Sequence, residues 1–381
     1  LNADALSDLA LLKRGGEAPI AVALTAAART FTVNSTGDQP DANPGDGKCE
    51  TAANNGVCTL RAAVAEVNAG PGGDAINFSV SSTTSTGFQL QKSATVDGGA
   101  NRIEISGAGI SIVCVSGSTC GGNSTIRGFV INRFAISPAT AIRIDANGGN
   151  NFIENNYIGT DTSGANAAFG NITTGDGVSI SRSPNNTIGG TASAARNILV
   201  MPGTGVRISD QSPGTKVQGN YIGTDVSGTK ALGTAVGVSA NAGGNTSPNQ
   251  TIGGAVAGAG NVIACSGDNV RVQGESGILV QGNLIGTNAA GAAKLGSTPT
   301  TGGVTFSGGS GATGFTVGGT TPAARNVIAG HRFGVSISFP SSLALVQGNY
   351  IGADISGTKA LANGTGTGVL IGRDASGSTV G

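Results

Sequence analysis

Two sets of side chains in this sequence could do chemistry, and both are built from carboxylates. In the first, the segment GDQPDANPGDGKCE, from Gly37 to Glu50, sets Asp38, Asp41, Asn43, Asp46 and Glu50 at short intervals in a glycine-rich stretch. Oxygen donors so spaced on a loop suit Ca2+. The spacing misses the EF-hand pattern by one residue, and the same residue types are ordinary turn formers. Calcium and plain turn chemistry both stay open at this point. The second set recurs: Asp161, Asp225 and Asp354 occupy the same place in three copies of one phrase, and Asn288 holds that place in a fourth. A glycosidase needs two carboxyl groups about 5–9.5 Å apart. A lyase needs calcium ligands beside an Arg or Lys base. One acid in every second coil, a step of about 10 Å, supplies neither. Lys230, Lys294 and Lys359 recur in the same phrase, so Asp225–Lys230 and Asp354–Lys359 are expected to brace their loops as ion pairs. His331, the one histidine, follows the phrase NVIAG and reads as a corner residue. No catalytic residue is assigned.

Composition narrows the function classes. Charged residues make up 11% of the 381, against about 25% in an ordinary domain. Lys plus Arg and Asp plus Glu are equal at 21 each, so no net field draws in phosphate, and nucleic acid is not expected as a partner. Aromatic residues are 4% and Trp is absent, which leaves few stacking platforms for bases or sugars. No apolar run reaches the roughly 18–20 residues of a membrane span. The ten-residue PIAVALTAAA, Pro19–Ala28, lies after Lys13-Arg14 and before Arg29, like the apolar centre of an export signal. Residues 1–30 are therefore either leader-derived or an N-terminal arm, and Leu6, Leu9 and Leu12 suggest a short helix within residues 1–16. The five cysteines fall as Cys49 with Cys58, Cys114 with Cys120, and Cys265 alone. Their spacing is wrong for zinc, and two short disulfides with one buried thiol fit better.

What must position these residues is a repeat. The Ile of YIG or LIG recurs at Ile158, Ile222, Ile285 and Ile351, spaced 64, 63 and 66 residues. A second phrase interleaves with it: NNTIGGTASAARNILV from Asn185, NQTIGGAVAGAGNVIA from Asn249 and FTVGGTTPAARNVIAG from Phe315. Alternating apolar strands begin at Ile142, Val178, Val206, Val238, Val270, Val304, Val335 and Val369. The signals agree if each 64-residue unit is two coils of about 32, with a long loop at alternating corners. Short strands recurring without helical periodicity predict an all-β, right-handed parallel β-helix, a solenoid whose coils stack about 4.8 Å apart. Asn156, Asn197, Asn220, Asn261, Asn283, Asn326 and Asn349 each precede a core residue, where stacked amides can satisfy a tight turn.

Residues 31–70 break the pattern. Thr59 reads as a helix N-cap, Leu60, Ala63, Val64 and Val67 as one apolar stripe, and Gly70 as the stop. A helix here would cover the open end of a β-helix, whose unpaired edges invite association. The run Cys58-Thr59-Leu60-Arg61-Ala62-Ala63, with Cys49 upstream, resembles the CSLREA domain of bacterial exported proteins, which right-handed β-helix arrays often follow. The chain departs at Ala62, where the family's Glu would close a capping box. The resemblance implies an extracellular or cell-surface location and no particular reaction.

The sequence thus divides into an arm (1–30), a cap with the first coils (31–100) and the repeats (101–381). It reads as a non-enzymatic structural rod of the cell exterior, a fibre or adhesin component. A polysaccharide lyase or hydrolase on the same scaffold is the alternative. Because the phrase ASGSTVG stops in mid-coil at Gly381, two partners are expected for the end: a further length of a longer surface protein, or a second copy joined head to tail through residues 1–30. A glycan is a third candidate partner, and Ca2+ the one candidate cofactor.

Overall fold

The structure is a computed structural model and describes residues 9–10, 22–23, 27–82, 87–113, 122–136, 139–146, 148–242, 245–296, 301–307, 312–338, 341–364, 367–372, 375 and 377–381. The expected alternation of short strands folds as a right-handed parallel β-helix with three long sheets of 12, 9 and 10 strands. Each coil runs a strand of the third sheet, such as Ala139–Asp145, then one of the first, Phe152–Glu154, then two residues of the second, Tyr157–Ile158. The next coil returns to the third sheet at Gly175–Ser181.

Register follows from burial. A shift by one residue would turn every core side chain outward, so identical apolar positions lock above one another. The strand starts read from the sequence fall in one column: Ile142, Val178, Val206, Val238, Val270, Val304, Val335 and Val369 pair in succession. Ile158, Leu199, Ile222, Ile263, Ile285, Ile328 and Ile351 form a second column on the second sheet. One hydrophobic core runs through cap and repeats alike.

The asparagines form the expected ladder. Along the series from Asn156 to Asn349, the Oδ1 of each asparagine from Asn197 onward accepts both the backbone N–H and the Nδ2 of the asparagine one coil earlier, at 2.8–3.4 Å. Each Nδ2 also donates to a strand carbonyl, for example Asn220 to Ile188 O at 2.8 Å. Every amide thus ties two coils and one turn together. The two corner types are also as expected. Thr187–Gly189 reaches Ile198–Leu199 through an insertion, while Lys216–Gln218 passes directly to Tyr221–Ile222.

In the cap, helix α1 spans Leu60–Ala69, and the Oγ1 of Thr59 accepts from Ala62 N. Gly70 ends it in extended, not left-handed, conformation, at φ −86°. A Cβ there would lie 1.9 Å from Arg29 Nη2, so a larger residue would have to displace the Arg29 guanidinium from Glu66 and Asp74. Cys49 and Cys58 form a disulfide and Cys265 is buried. Cys114 and Cys120 lie outside the described residues. In the N-terminal arm the helical expectation fails where it can be checked. Leu9–Ala10 are extended and pair antiparallel with Val22–Ala23. Such a short helix has too few turns to repay its nucleation.

Candidate functional site

The carboxylates of the Asp38–Glu50 loop are occupied by donors from the chain. Asp38 faces the Arg61 guanidinium through both oxygens. Asp41 accepts Asn43 N at 2.8 Å and Glu50 N at 3.1 Å, Asp46 accepts Lys48 N, and Glu50 accepts Asn54 N. Asn43 enters this network through its backbone N–H. Among the described residues no group of three or more His, Cys, Asp or Glu converges on a point. The arrangement is that of consecutive side-chain-capped turns.

The loop is anchored by a cluster that sequence reasoning missed. Glu66, on α1, is fully buried and accepts Gly45 N, Gly47 N and Arg29 Nη1. Arg29 also donates to Asp74, equally buried, at 2.7 Å. One guanidinium thus joins helix, loop and first coil. Glu66 lies two residues beyond Val64 in a stretch that reads as a helix surface, and only the folded loop reveals that it faces inward.

Along the repeats, the outer face of the third sheet is polar. Arg143, Ser179, Arg207, Ser239, Arg271 and Thr305 succeed one another in register. Their acidic neighbours pair with the arginines: Asp145 with Arg143 and Arg182, Asp176 with Arg207, Asp268 with Arg271. Half-exposed ion pairs of this kind contribute little stability, about 0–1 kcal/mol each.

The recurrent corner loops differ from expectation in one respect. Asp225 does not pair with the Lys230 ammonium. It accepts the backbone N–H groups of Thr229 and Lys230 and the Ser227 hydroxyl, while Lys230 Nζ reaches Asn166 Oδ1 of the neighbouring loop at 3.2 Å. Asp354 likewise accepts Lys359 N. A carboxylate beside three converging N–H and O–H donors is satisfied at closer range than a flexible lysine offers. Asp161 shows the consequence. Burial opposes its charge, but the Asn166 and Ser163 hydrogen bonds prevail and lower its pKa to about 2. The loops also join one another, Val226 N to Gly164 O, Ala289 N to Gly228 O and Ile355 N to Gly291 O, each at 2.9 Å. Asp225→Ala should therefore cost about 1–2 kcal/mol, as loss of a helix N-cap does, and chemical denaturation of the variant measures it.

His331 is fully buried in a corner, with Nε2 3.5 Å from Asn269 Nδ2, and burial lowers its pKa to about 4. It is neutral at pH 7 and shut off from solvent.

A second polar ladder runs where the third sheet turns into the first. Ser183 N donates to Ser212 Oγ, Ser212 N to Ser247 Oγ, and Ser247 N to Glu275 Oε2. Glu275 and Gln250 are both fully buried, and the Oε1 of each lacks a hydrogen-bond partner among the described residues. Burial, and secondarily the charge of Asp210, raises the Glu275 pKa, against the Ser247 N–H. A raised carboxyl pKa means that folding favours the protonated form. That contribution is complete below the ordinary value of 4.5 and is lost as pH rises through the folded value. Glu275→Gln should remove this slope and raise stability at neutral pH by about 1 kcal/mol, because its amide can donate where the carboxylate cannot. Melting curves across the pH range test both effects.

Compared with known proteins, the chain matches no family model, and no curated protein or solved structure is significantly similar to it.

Proposed function

We propose that this chain is a non-enzymatic structural rod of the cell exterior, a fibre or adhesin component. The observation that carries the reading is the use made of its polar groups. Apart from Glu275, which ends the serine ladder, the acids set out above serve as ion-pair partners and turn caps, and the asparagine ladder runs through seven successive coils. Such a scaffold is rigid along its axis and repeats one surface many times. The disulfide Cys49–Cys58 suits an oxidising compartment, and no helix among the described residues is long and apolar enough to cross a membrane. The resemblance to the CSLREA domain supports the same location.

The outer face of the third sheet favours a second reading, a glycan-binding adhesin. Arg143, Ser179, Arg207, Arg271 and Thr305 in one column, interrupted by the buried Ser239, offer hydroxyl-matching donors one or two coils apart, at steps of about 5–10 Å. Incubation with pectin, alginate and other uronans, with and without Ca2+, is expected to release no reducing or unsaturated ends. Turnover abolished by changing one acidic residue would overturn the structural reading. Retention on an immobilised glycan without turnover would select the adhesin. In the same samples, a melting temperature lowered by chelator, without turnover, would support calcium in the Asp38–Glu50 loop. Light scattering and electron microscopy of the full chain and of a variant lacking residues 1–30 test self-association. Fibres formed by the first and not the second would support head-to-tail assembly.

A further inference from the structure

The outer side of the second sheet carries a series with one member missing. Arg102 lies over the Tyr157 ring at 3.8 Å, Arg196 over Tyr221 at 4.1 Å and Arg325 over Tyr350 at 4.1 Å. The outward column on this sheet reads Tyr157, Ile198, Tyr221, Val262, Leu284, Val327, Tyr350. A tyrosine is thus due at Leu284, and its arginine at Gly260, which holds the place of Arg196 and Arg325 in its own repeat. Both partners are replaced together.

The backbone has adapted to the change. The loops before Arg196 and Arg325 contain a 3-10 turn, Ser193–Ala195 and Pro322–Ala324. The equal-length loop before Gly260 has none, and a Cβ at Gly260 would lie 2.0 Å from Gly282 O. No side chain can fill the gap from that position. What remains is a groove of about 470 Å³, with Val262, Leu284 and Val327 among its lining and Arg196 and Arg325 also on its walls. Its lining contains no carboxylate. Each arginine donates Nε to a backbone carbonyl, Gly219 O and Gly348 O, and neither forms an ion pair among the described residues. A recess floored by Val262, Leu284 and Val327, and bounded at its two ends, four coil steps or ~19 Å apart, by guanidinium groups that lack a carboxylate partner among the described residues, is complementary to a flat apolar body bearing negative charge at one end.

We infer that this groove is a binding site for a small aromatic carboxylate, whose ring takes the place of the absent tyrosine. The inference is independent of the structural role proposed above. It is tested with 2-naphthoate and, as its charge-reversed counterpart, 2-naphthylmethylammonium, by calorimetric titration of the full chain. Naphthoate should bind saturably at one site, about tenfold or more tighter than the cation. Leu284→Tyr, which restores the ring, should weaken naphthoate at least about tenfold, with an unchanged melting temperature showing that the rod is intact. The double variant Arg196→Gln/Arg325→Gln should erase most of the preference for the anion, a readout that loss of packing alone would not move. No saturable binding up to roughly 5 mM would overturn the inference. So would affinity unaltered in a folded Leu284→Tyr chain, or an anion preference that survives the double substitution.

Discussion

Replacing Ile222 with aspartate is expected to divide the rod at that coil, with a loss of more than about 4 kcal/mol. Ile222 is fully buried, between Leu199 and Ile263 in the column of the second sheet. The carboxylate would enter a dry stack with no cation in reach, and removal of the isoleucine alone costs about 2–5 kcal/mol. Each coil contacts its neighbours and little else, so the damage should stay local, as in other solenoids. Limited proteolysis should then cut near residue 222 and leave two protected fragments, and melting should resolve into two transitions. The conservative Ile222→Val should cost only about 0.5–1.5 kcal/mol. A variant that melts in one transition, close to the parent temperature, would show that the column is not the source of the rod's stability.

The second large effect is expected in the cap. Arg29→Met keeps most of the side chain's length but leaves Glu66 and Asp74 buried without their cation. Breaking a buried ion pair by removing one partner costs about 3–5 kcal/mol, and here one guanidinium serves two carboxylates. Glu66 keeps the Gly45 and Gly47 N–H groups, so the loop should detach only when the helix does. Hydrogen exchange should accelerate across residues 38–78 and remain slow in the coils beyond. The triple change Arg29→Met/Glu66→Gln/Asp74→Asn removes the buried charges together and should recover much of the loss. No recovery would place the cost in Arg29 packing over Phe31, where the guanidinium lies 5.0 Å from the ring centre.

Much of this molecule was legible in the sequence because a parallel solenoid copies itself. A valine at one coil lies over the valine at the same phase of the next, so spacing along the chain becomes position in space. Val178, Val206 and Val238, the asparagines from Asn156 to Asn349, and the corner that alternates between insertion and direct passage were readable for that reason. Cys49 and Cys58 were readable because nine residues is a short reach. What breaks the repeat was not. Glu66 resembles a surface residue until Arg29 and the Gly45–Gly47 loop, 37 and about 20 residues away, fold against it. Lys230 was expected to bind Asp225, its neighbour in sequence, yet backbone N–H groups claim that carboxylate first and the lysine turns to Asn166, 64 residues away. Glu275 shows its anomaly only once it is seen to occupy the next step of the serine ladder above Ser247. The groove beside Leu284 exists only by comparison with the arginine–tyrosine stacks on either side of it. Periodicity propagates the regular contacts from coil to coil. The singular ones depend on which donor lies nearest in the folded chain, and no spacing in the sequence encodes that distance.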